Sequence, residues 1–412
     1  MAKGRGRRDK AVKRQYEEYP YPPRDPADEH SRLIEGSPSH LGELNHYLYS
    51  GKRDFSKPFR ALVAGGGTGD AAIMLAQHLS DHGDRGTVTY LDLSSASRAV
   101  AESRAKARGL ENMEFYTGSL LEFPEMGFLP FDYIDCCGVL HHLEEPERGL
   151  QALISCLAED GGLGLMVYAT LGRTGVYPIQ NALRSMAAEK TQFEQVKIAK
   201  ALIGSLPASN WLNKNSYLGD HKLGEDAALF DLLLHPRDRS YLVPELLALL
   251  QMCDVGLVEF IEPIRYRPET YFKDDMLLKL VKSMRASEKA ALAENICGSL
   301  KTHTLYAKKS SNTADTVAKF NPEMIPILKD RNPELLFKAF SARSELNVGF
   351  EGESYSFNVP EGAAEFVALI DGRQTLGEMQ KHFSLNWEKF RNRYAPIYTL
   401  LNGLNLLWLR SS

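Results

Sequence analysis

The chain has 412 residues, 43% of them hydrophobic and 25% charged, with 49 basic against 53 acidic side chains and a net charge of −4. That length suggests two or three domains with sizeable cores, and the composition excludes overall disorder and any general affinity for nucleic acid or membrane surfaces. The five cysteines, Cys136, Cys137, Cys156, Cys253 and Cys297, show neither CxxC spacing nor a histidine cluster, so neither a disulfide framework nor a metal is expected.

The first fourteen residues hold seven bases and one acid, so this tail carries about +6 and the remaining chain about −10. A short basic tail is more often solvated than functional. It lacks the apolar core of a secretory signal, and no run approaches the ~18 apolar residues of a membrane span, so a cytoplasmic protein is expected. Tyr16-Glu-Glu-Tyr-Pro-Tyr-Pro-Pro-Arg-Asp-Pro26 follows, where four prolines oppose a helix and three tyrosines offer contact area. This reads as an arm lying across a surface, and residues 1–58 form the tail and arm.

From Phe59 strand and helix signals alternate as in a parallel α/β sheet. Strands are expected at 60–64, 87–93, 113–117, 133–137 and 164–168, with helices at 70–79, 96–108 and 151–157. The alternation breaks over about 172–240, which reads as a helical insertion whose longest helix is 181–204. It returns with a helix at 243–252 and strands at 257–261 and 303–308, giving an α/β domain over 59–312. Ser310 to Ala314 reads as a linker. Beyond it, over 313–412, strands at 355–359 and 404–409 flank helices at 361–370, 375–383 and 387–402, the order of a small winged-helix-like α+β domain. Its eleven bases and twelve acids are poor for phosphate neutralisation, so nucleic acid is not expected as its partner.

The chemistry is concentrated where strand one runs into Gly65-Gly-Gly-Thr-Gly69. Glycines there allow a tight turn and close approach of backbone N–H groups to a nucleotide-like ligand. The dinucleotide fingerprint wants a third glycine at 70, where Asp70 stands, which weakens a nicotinamide-dependent oxidoreductase reading. Asp92, closing strand two, can accept from two ribose hydroxyls.

With this loop, Asp92, Gly118-Ser119 and Phe131-Asp-Tyr-Ile-Asp-Cys-Cys-Gly-Val-Leu-His-His-Leu143, the chain resembles the class I S-adenosylmethionine-dependent methyltransferases. The resemblance covers about 59–170 well and 240–309 in outline, and implies a Rossmann-like seven-stranded methyltransferase sheet. It places S-adenosylmethionine against Gly65, Gly66, Gly67, Gly69, Asp92, Leu93, Gly118, Ser119, Cys137 and Gly138. Val63 and Ser119 depart from the family, which commonly has acids at both positions. The arm motif, together with Leu62-Val-Ala-Gly-Gly-Gly-Thr-Gly69 and Gly138-Val-Leu-His-His142, is further similar to a bacterial group that includes the rickettsial lysine methyltransferases of outer-membrane protein. That likeness implies a protein acceptor, such as a side-chain amine. A small-molecule acceptor and a non-catalytic scaffold are the alternatives.

Methyl transfer from a sulfonium is an in-line displacement in which positioning supplies most of the catalysis. If a proton must leave the acceptor, His141 and His142 are the candidate bases, against a bland role in capping and packing. Tyr168, Arg173 and Tyr177 are candidates for the acceptor pocket or its plain wall. His235, Arg237 and Arg239 crowd one loop that either binds acceptor or forms an internal ion-pair network. Tyr19 and Tyr21 either close over the cofactor or pack the arm.

Overall fold

The computed structural model describes residues 12–83, 85–222, 225–329 and 332–411. Most of the basic tail lies outside them. Residues 12–18 form a helix, α1, so Tyr16 to Glu18 are helical after all; the prolines begin only at Pro20 and leave this turn intact. A 3₁₀ turn at Pro26–His30 and helix α2 (Leu41–Leu48) complete the arm.

The sheet then builds through β1 (Phe59–Ala64), α3 (Asp70–Asp81), β2 (Gly86–Asp92), α4 (Ser95–Arg108), β3 (Met113–Thr117), β4 (Phe131–Cys137), α5 (Pro146–Cys156) and β5 (Leu157–Tyr168). The insertion follows as α6 (Val176–Ala187), α7 (Gln192–Ser205), α8 (Trp211–Lys214) and α9 (Asp226–Leu233). The single long helix expected at 181–204 is therefore two. Thr191 accepts from the Glu194 N–H while Glu194 reaches back to the Thr191 N–H, a capping box that starts a new helix.

Helix α10 (Val243–Met252), β6 (Val255–Phe260), α11 (Asp275–Lys282), α12 (Ala286–Cys297) and β7 (Thr302–Lys309) finish the sheet, whose order is β3-β2-β1-β4-β5-β7-β6. Strands β1 to β5 pair in parallel, and β7 runs antiparallel to both β5 and β6, so six strands share one direction and β7 alone opposes them. Strand β1 shows why both faces are covered. Ala61 and Val63 pack in the core on one side while Leu62 and Ala64 pack on the other, the period of two that a strand imposes.

The rest of the chain runs β8 (Met324–Leu328), α13 (Pro333–Ala342), β9 (Glu345–Phe350), β10 (Glu353–Asn358), α14 (Ala363–Ala368), α15 (Leu376–Lys381), α16 (Trp387–Gly403) and β11 (Leu407–Ser411). Helices α14 to α16 match the expected segments. The hairpin β9–β10, however, precedes them, and β11 pairs with β8, so no strand pair follows the last helix as a wing would. Nor is this region a free appendage. In β11 Leu407 and Leu409 enter the local core, while Trp408 between them enters the core beneath β1 and β2. Ala318 N–H donates to His46 O (2.7 Å), Ser50 N–H to Thr316 O (2.6 Å) and Ser411 N–H to Gly51 O (2.6 Å).

A buried polar network ties the same seam. Ser39 Oγ donates to Asp135 (2.6 Å) and accepts from Tyr133 (2.9 Å), and Tyr306 receives the Ser39 N–H and donates to Glu43 (2.6 Å). Asn405 donates to the other Glu43 oxygen at 2.6 Å.

Candidate functional site

Gly65 and Gly66 both donate to Leu91 O (2.7 and 3.0 Å), which folds the loop back over the end of β2. Gly65, Gly67 and Gly69 have φ of 81°, 51° and 104°, values that a side chain would strain. A Cβ on Gly66 would lie 2.3 Å from the Tyr90 ring, so this position needs glycine for space. Asp92 accepts from Gly67 N–H and Ser94 N–H, each at 2.8 Å, one per carboxylate oxygen. Burial pushes its pKa up against these bonds. Leu93 is half-buried beside it. Gly118 N–H donates to Asp92 O (2.9 Å), while Ser119 Oγ accepts from Leu121 N–H (3.2 Å) and so serves its own turn. Gly138 (φ 77°) donates to Met166 O at 3.1 Å, and Cys137 Sγ donates to Asp135 at 3.5 Å. Val63 lies in register with Asp135 across the β1–β4 pair, so an acid stands on the strand next to the family's acidic position.

The arm covers this loop. Tyr21 O sits 2.7 Å from where a Gly67 Cβ would be, and Thr68 Oγ1 donates to Pro22 O (2.6 Å). Arg24 holds Asp70 with Nε (2.9 Å) and Nη2 (2.6 Å), and Arg104 adds a third contact at 2.6 Å. Arg104 also pairs with Glu29 (2.6 Å), which takes Arg108 on its other oxygen (2.7 Å). Glu17 accepts the Ser95 and Ala96 N–H groups at the start of α4, and Ser94 Oγ donates to Tyr16 O (3.0 Å). Asp70, which spoils the dinucleotide fingerprint, is thus an anchor for the arm.

At the exits of β4 and β5 a second cluster forms. His141 is fully buried, with its ring 3.9 Å from that of Tyr168, and neither ring nitrogen has a partner. His142 Nδ1 lies 2.8 Å from Arg237 O and must carry the hydrogen, since a carbonyl only accepts. The His142 ring stacks on His235 at 3.6 Å. His235 Nδ1 accepts from Arg237 N–H (3.1 Å), which leaves its hydrogen on Nε2, 3.4 Å from Tyr16 Oη. Tyr16 donates to Asp231 Oδ1 (3.2 Å), and Tyr168 to Asp231 Oδ2 (2.9 Å). Burial lowers the pKa of all three histidines and raises those of Tyr16, Tyr168 and Asp231. His142, Asp231 and His235 each bring a ligand atom within 4.8 Å of the others. The tautomer of His235 nevertheless puts a hydrogen where a metal would need a lone pair, so the cluster is a hydrogen-bonded one.

Arg173 lies 3.7 Å from the Tyr168 ring centroid and pairs with buried Asp238 (2.9 Å), which also takes Gln180 (2.7 Å); Tyr177 stands beside that pair. Arg237 reaches Glu144 at 3.4 Å. Arg239, read as a candidate for the acceptor loop, is exposed over the Tyr241 ring. Of the two roles open to Tyr19, its ring takes the packing one, stacking on Phe230 of α9 at 5.5 Å and joining the arm to the insertion. Sequence reasoning missed Tyr16 and Asp231 as site residues. The available signal was a lone acid in the apolar run Ala227-Ala-Leu-Phe-Asp-Leu-Leu-Leu234.

Residues 62–163 match the family described as a methyltransferase domain. An uncharacterised protein of Synechococcus sp. is 31% identical over 276 residues, 64% of this chain and 62% of its own, so the match leaves over a third of that relative unaligned. The solved structure of PKMT2 from Rickettsia typhi superposes with a TM-score of 0.58 over 95% of this chain and 75% of its own at 15% identity. The same protein in complex with AdoHcy gives 0.57 over 96% and 76% at 14% identity. No helix among the described residues is long and apolar enough to cross a membrane. Residues 62–163 are thus similar to a methyltransferase domain, and the chain as a whole shares the fold of PKMT2.

Proposed function

We propose that this chain is an S-adenosylmethionine-dependent methyltransferase acting on a polypeptide side-chain amine. The carrying observation is Asp92, tied to Gly67 N–H at the carboxyl end of β2, beside the point where strand order reverses between β1 and β4. A ligand in that crevice meets the loop's backbone and the lone pairs that Asp92 keeps free for ribose hydroxyls. When bound, the cofactor supplies a sulfonium methyl to an in-line nucleophile. The chain's own part is positional. Gly65 to Gly69 accommodate the cofactor, the arm closes over it and excludes water, and the Tyr16–Asp231–Tyr168 group faces the acceptor side.

A protein acceptor is supported by the arm and strand-four likeness to the rickettsial lysine methyltransferases, by the whole-chain superposition on PKMT2, and by the near-neutral charge of residues 313–412. The nicotinamide alternative is disfavoured because Asp70 is engaged by Arg24 and Arg104. The test uses methyl-labelled cofactor with a cell lysate resolved into protein, RNA and small-molecule fractions. Label in protein, lost with Asp92→Asn together with at least tenfold in cofactor affinity by calorimetry, is the expected result. Label confined to the small-molecule fraction overturns the polypeptide acceptor. Binding of NAD in preference to S-adenosylmethionine overturns the reaction.

A further inference from the structure

Asp231 is a carboxylate without a cation of its own. The residue is 5% exposed, and its oxygens accept the Tyr16 and Tyr168 hydroxyls. The nearby cation, Arg173, is committed to Asp238. His142 and His235 keep their single hydrogens on Arg237 O and toward Tyr16, and burial holds both rings neutral. Among the described residues no ion pair reaches Asp231. A buried, unpaired carboxylate carries a desolvation penalty that two neutral hydrogen bonds only partly offset, so the site lacks a positive partner.

A second observation points the same way. His141 is fully buried, stacks on Tyr168, and has no partner for either ring nitrogen. One of those nitrogens is an acceptor in the neutral ring. Tyr168 joins the two groups, its ring on His141 and its hydroxyl on Asp231, while His142 abuts both His141 and Tyr168 and Tyr16 closes the Asp231 end. Aromatic faces attract an alkylammonium, and its three N–H donors suit a carboxylate and an imidazole acceptor.

We propose that Asp231, covered by Tyr16 of the arm, is the ammonium-recognition site for the methyl acceptor and selects amines over hydroxyl-bearing acceptors. The inference rests on the methyl-transfer reading of the glycine loop. It makes acceptor recognition a joint property of three segments, because Asp231 belongs to α9, Tyr16 to α1 and Tyr168 to β5. An acceptor site is then complete only while the arm is docked. The cofactor's own sulfonium is the rival cation, and the experiment separates the two.

The full chain, saturated with S-adenosylhomocysteine, is titrated calorimetrically with Nα-acetyl-lysine methylamide and with the uncharged norleucine counterpart. Expected is binding of the lysine probe at least tenfold tighter than the norleucine probe, a comparison that needs no variant. Asp231→Asn should lose at least tenfold for the lysine probe while keeping its affinities for S-adenosylmethionine and S-adenosylhomocysteine within twofold. Tyr16→Phe should lose less. Equal binding of the two probes to the unaltered protein overturns the proposal, as does an unchanged lysine affinity in Asp231→Asn. A loss of S-adenosylmethionine affinity with S-adenosylhomocysteine affinity kept would assign the carboxylate to the sulfonium instead. Failure of either cofactor form to bind the unaltered protein is a different result, and it sinks the methyl-transfer reading itself.

Discussion

Gly67 carries two demands at one backbone position. Its φ of 51° disfavours a side chain, and a Cβ would meet Tyr21 O at 2.7 Å, so an alanine must push the arm's own backbone away. Gly67→Ala should therefore speed cofactor release in stopped-flow measurements, whereas Gly36→Ala, where nothing lies within 4 Å, should leave release unchanged. Equal release rates in the two variants would show that the arm does not gate the cofactor. Asp135 offers a titration test. Burial pushes its pKa up to about 6 from 3.8, with Ser39 and Cys137 donating to it and Tyr133 and Glu43 facing it through the same network. The folded state therefore keeps this proton longer than the unfolded one. The stabilisation is fully present below about pH 4 and is lost as pH rises through about 6. Urea unfolding should show Asp135→Asn gaining on the unaltered protein, by on the order of 3 kcal/mol between pH 4 and pH 7. A constant difference across that range would contradict the assignment. The glycine loop and Asp92 were legible in the sequence because the chemistry there is local: a turn and the end of the next strand. Tyr16 and Asp231 were not, since their contact spans 215 positions and each sits in a segment with another evident purpose.

At the scale of elements, the arm is held by ion pairs more than by its tyrosines. The Glu29 and Arg104 side chains are each 1% exposed, and Glu29 also receives Arg108. Removing one partner from such a group leaves a buried charge exposed to its own desolvation cost. Glu29→Ala leaves Arg104 its Asp70 partner but removes charge-assisted bonds to two arginines, so it should cost about 1.5–3 kcal/mol in urea unfolding, and a loss below about 0.5 kcal/mol would show that the pairs do not hold the arm. Sheet elements read well from sequence because strands covered on both faces are nearly uninterrupted apolar runs. The exceptions have physical causes. The break between α6 and α7 depends on a four-residue cap inside a continuous helical pattern. Hairpin β9–β10 is half-exposed: Glu345-Leu-Asn-Val-Gly-Phe350 alternates strictly, but over six residues with a glycine inside, a run as compatible with a polar loop as with a strand until its partner β10 is in place.

The whole molecule is joined more tightly than its linker suggests. Trp408 is fully buried in the core beneath β1 and β2, its indole N–H donates to Asn405 (2.8 Å), and Asn405 donates to Glu43 of α2. Trp408→Ala should cost about 3–5 kcal/mol and lower one shared thermal transition. Two separate transitions by calorimetry, only one of them moved by the substitution, would show instead that the regions fold independently. Truncation at residue 313 consequently strips a wall from the cofactor-binding core, so it is no neutral test of what the last hundred residues contribute.

Strand β11 and residues 316–318 are stitched to residues 46–51 by backbone bonds that owe nothing to the peptide chain between 310 and 315. Once folded, the molecule no longer needs that stretch to be continuous. A cut there should produce two polypeptides that stay together as a nicked complex, and separately synthesised halves should complement each other like the pieces of a split enzyme, with Trp408 as the plug.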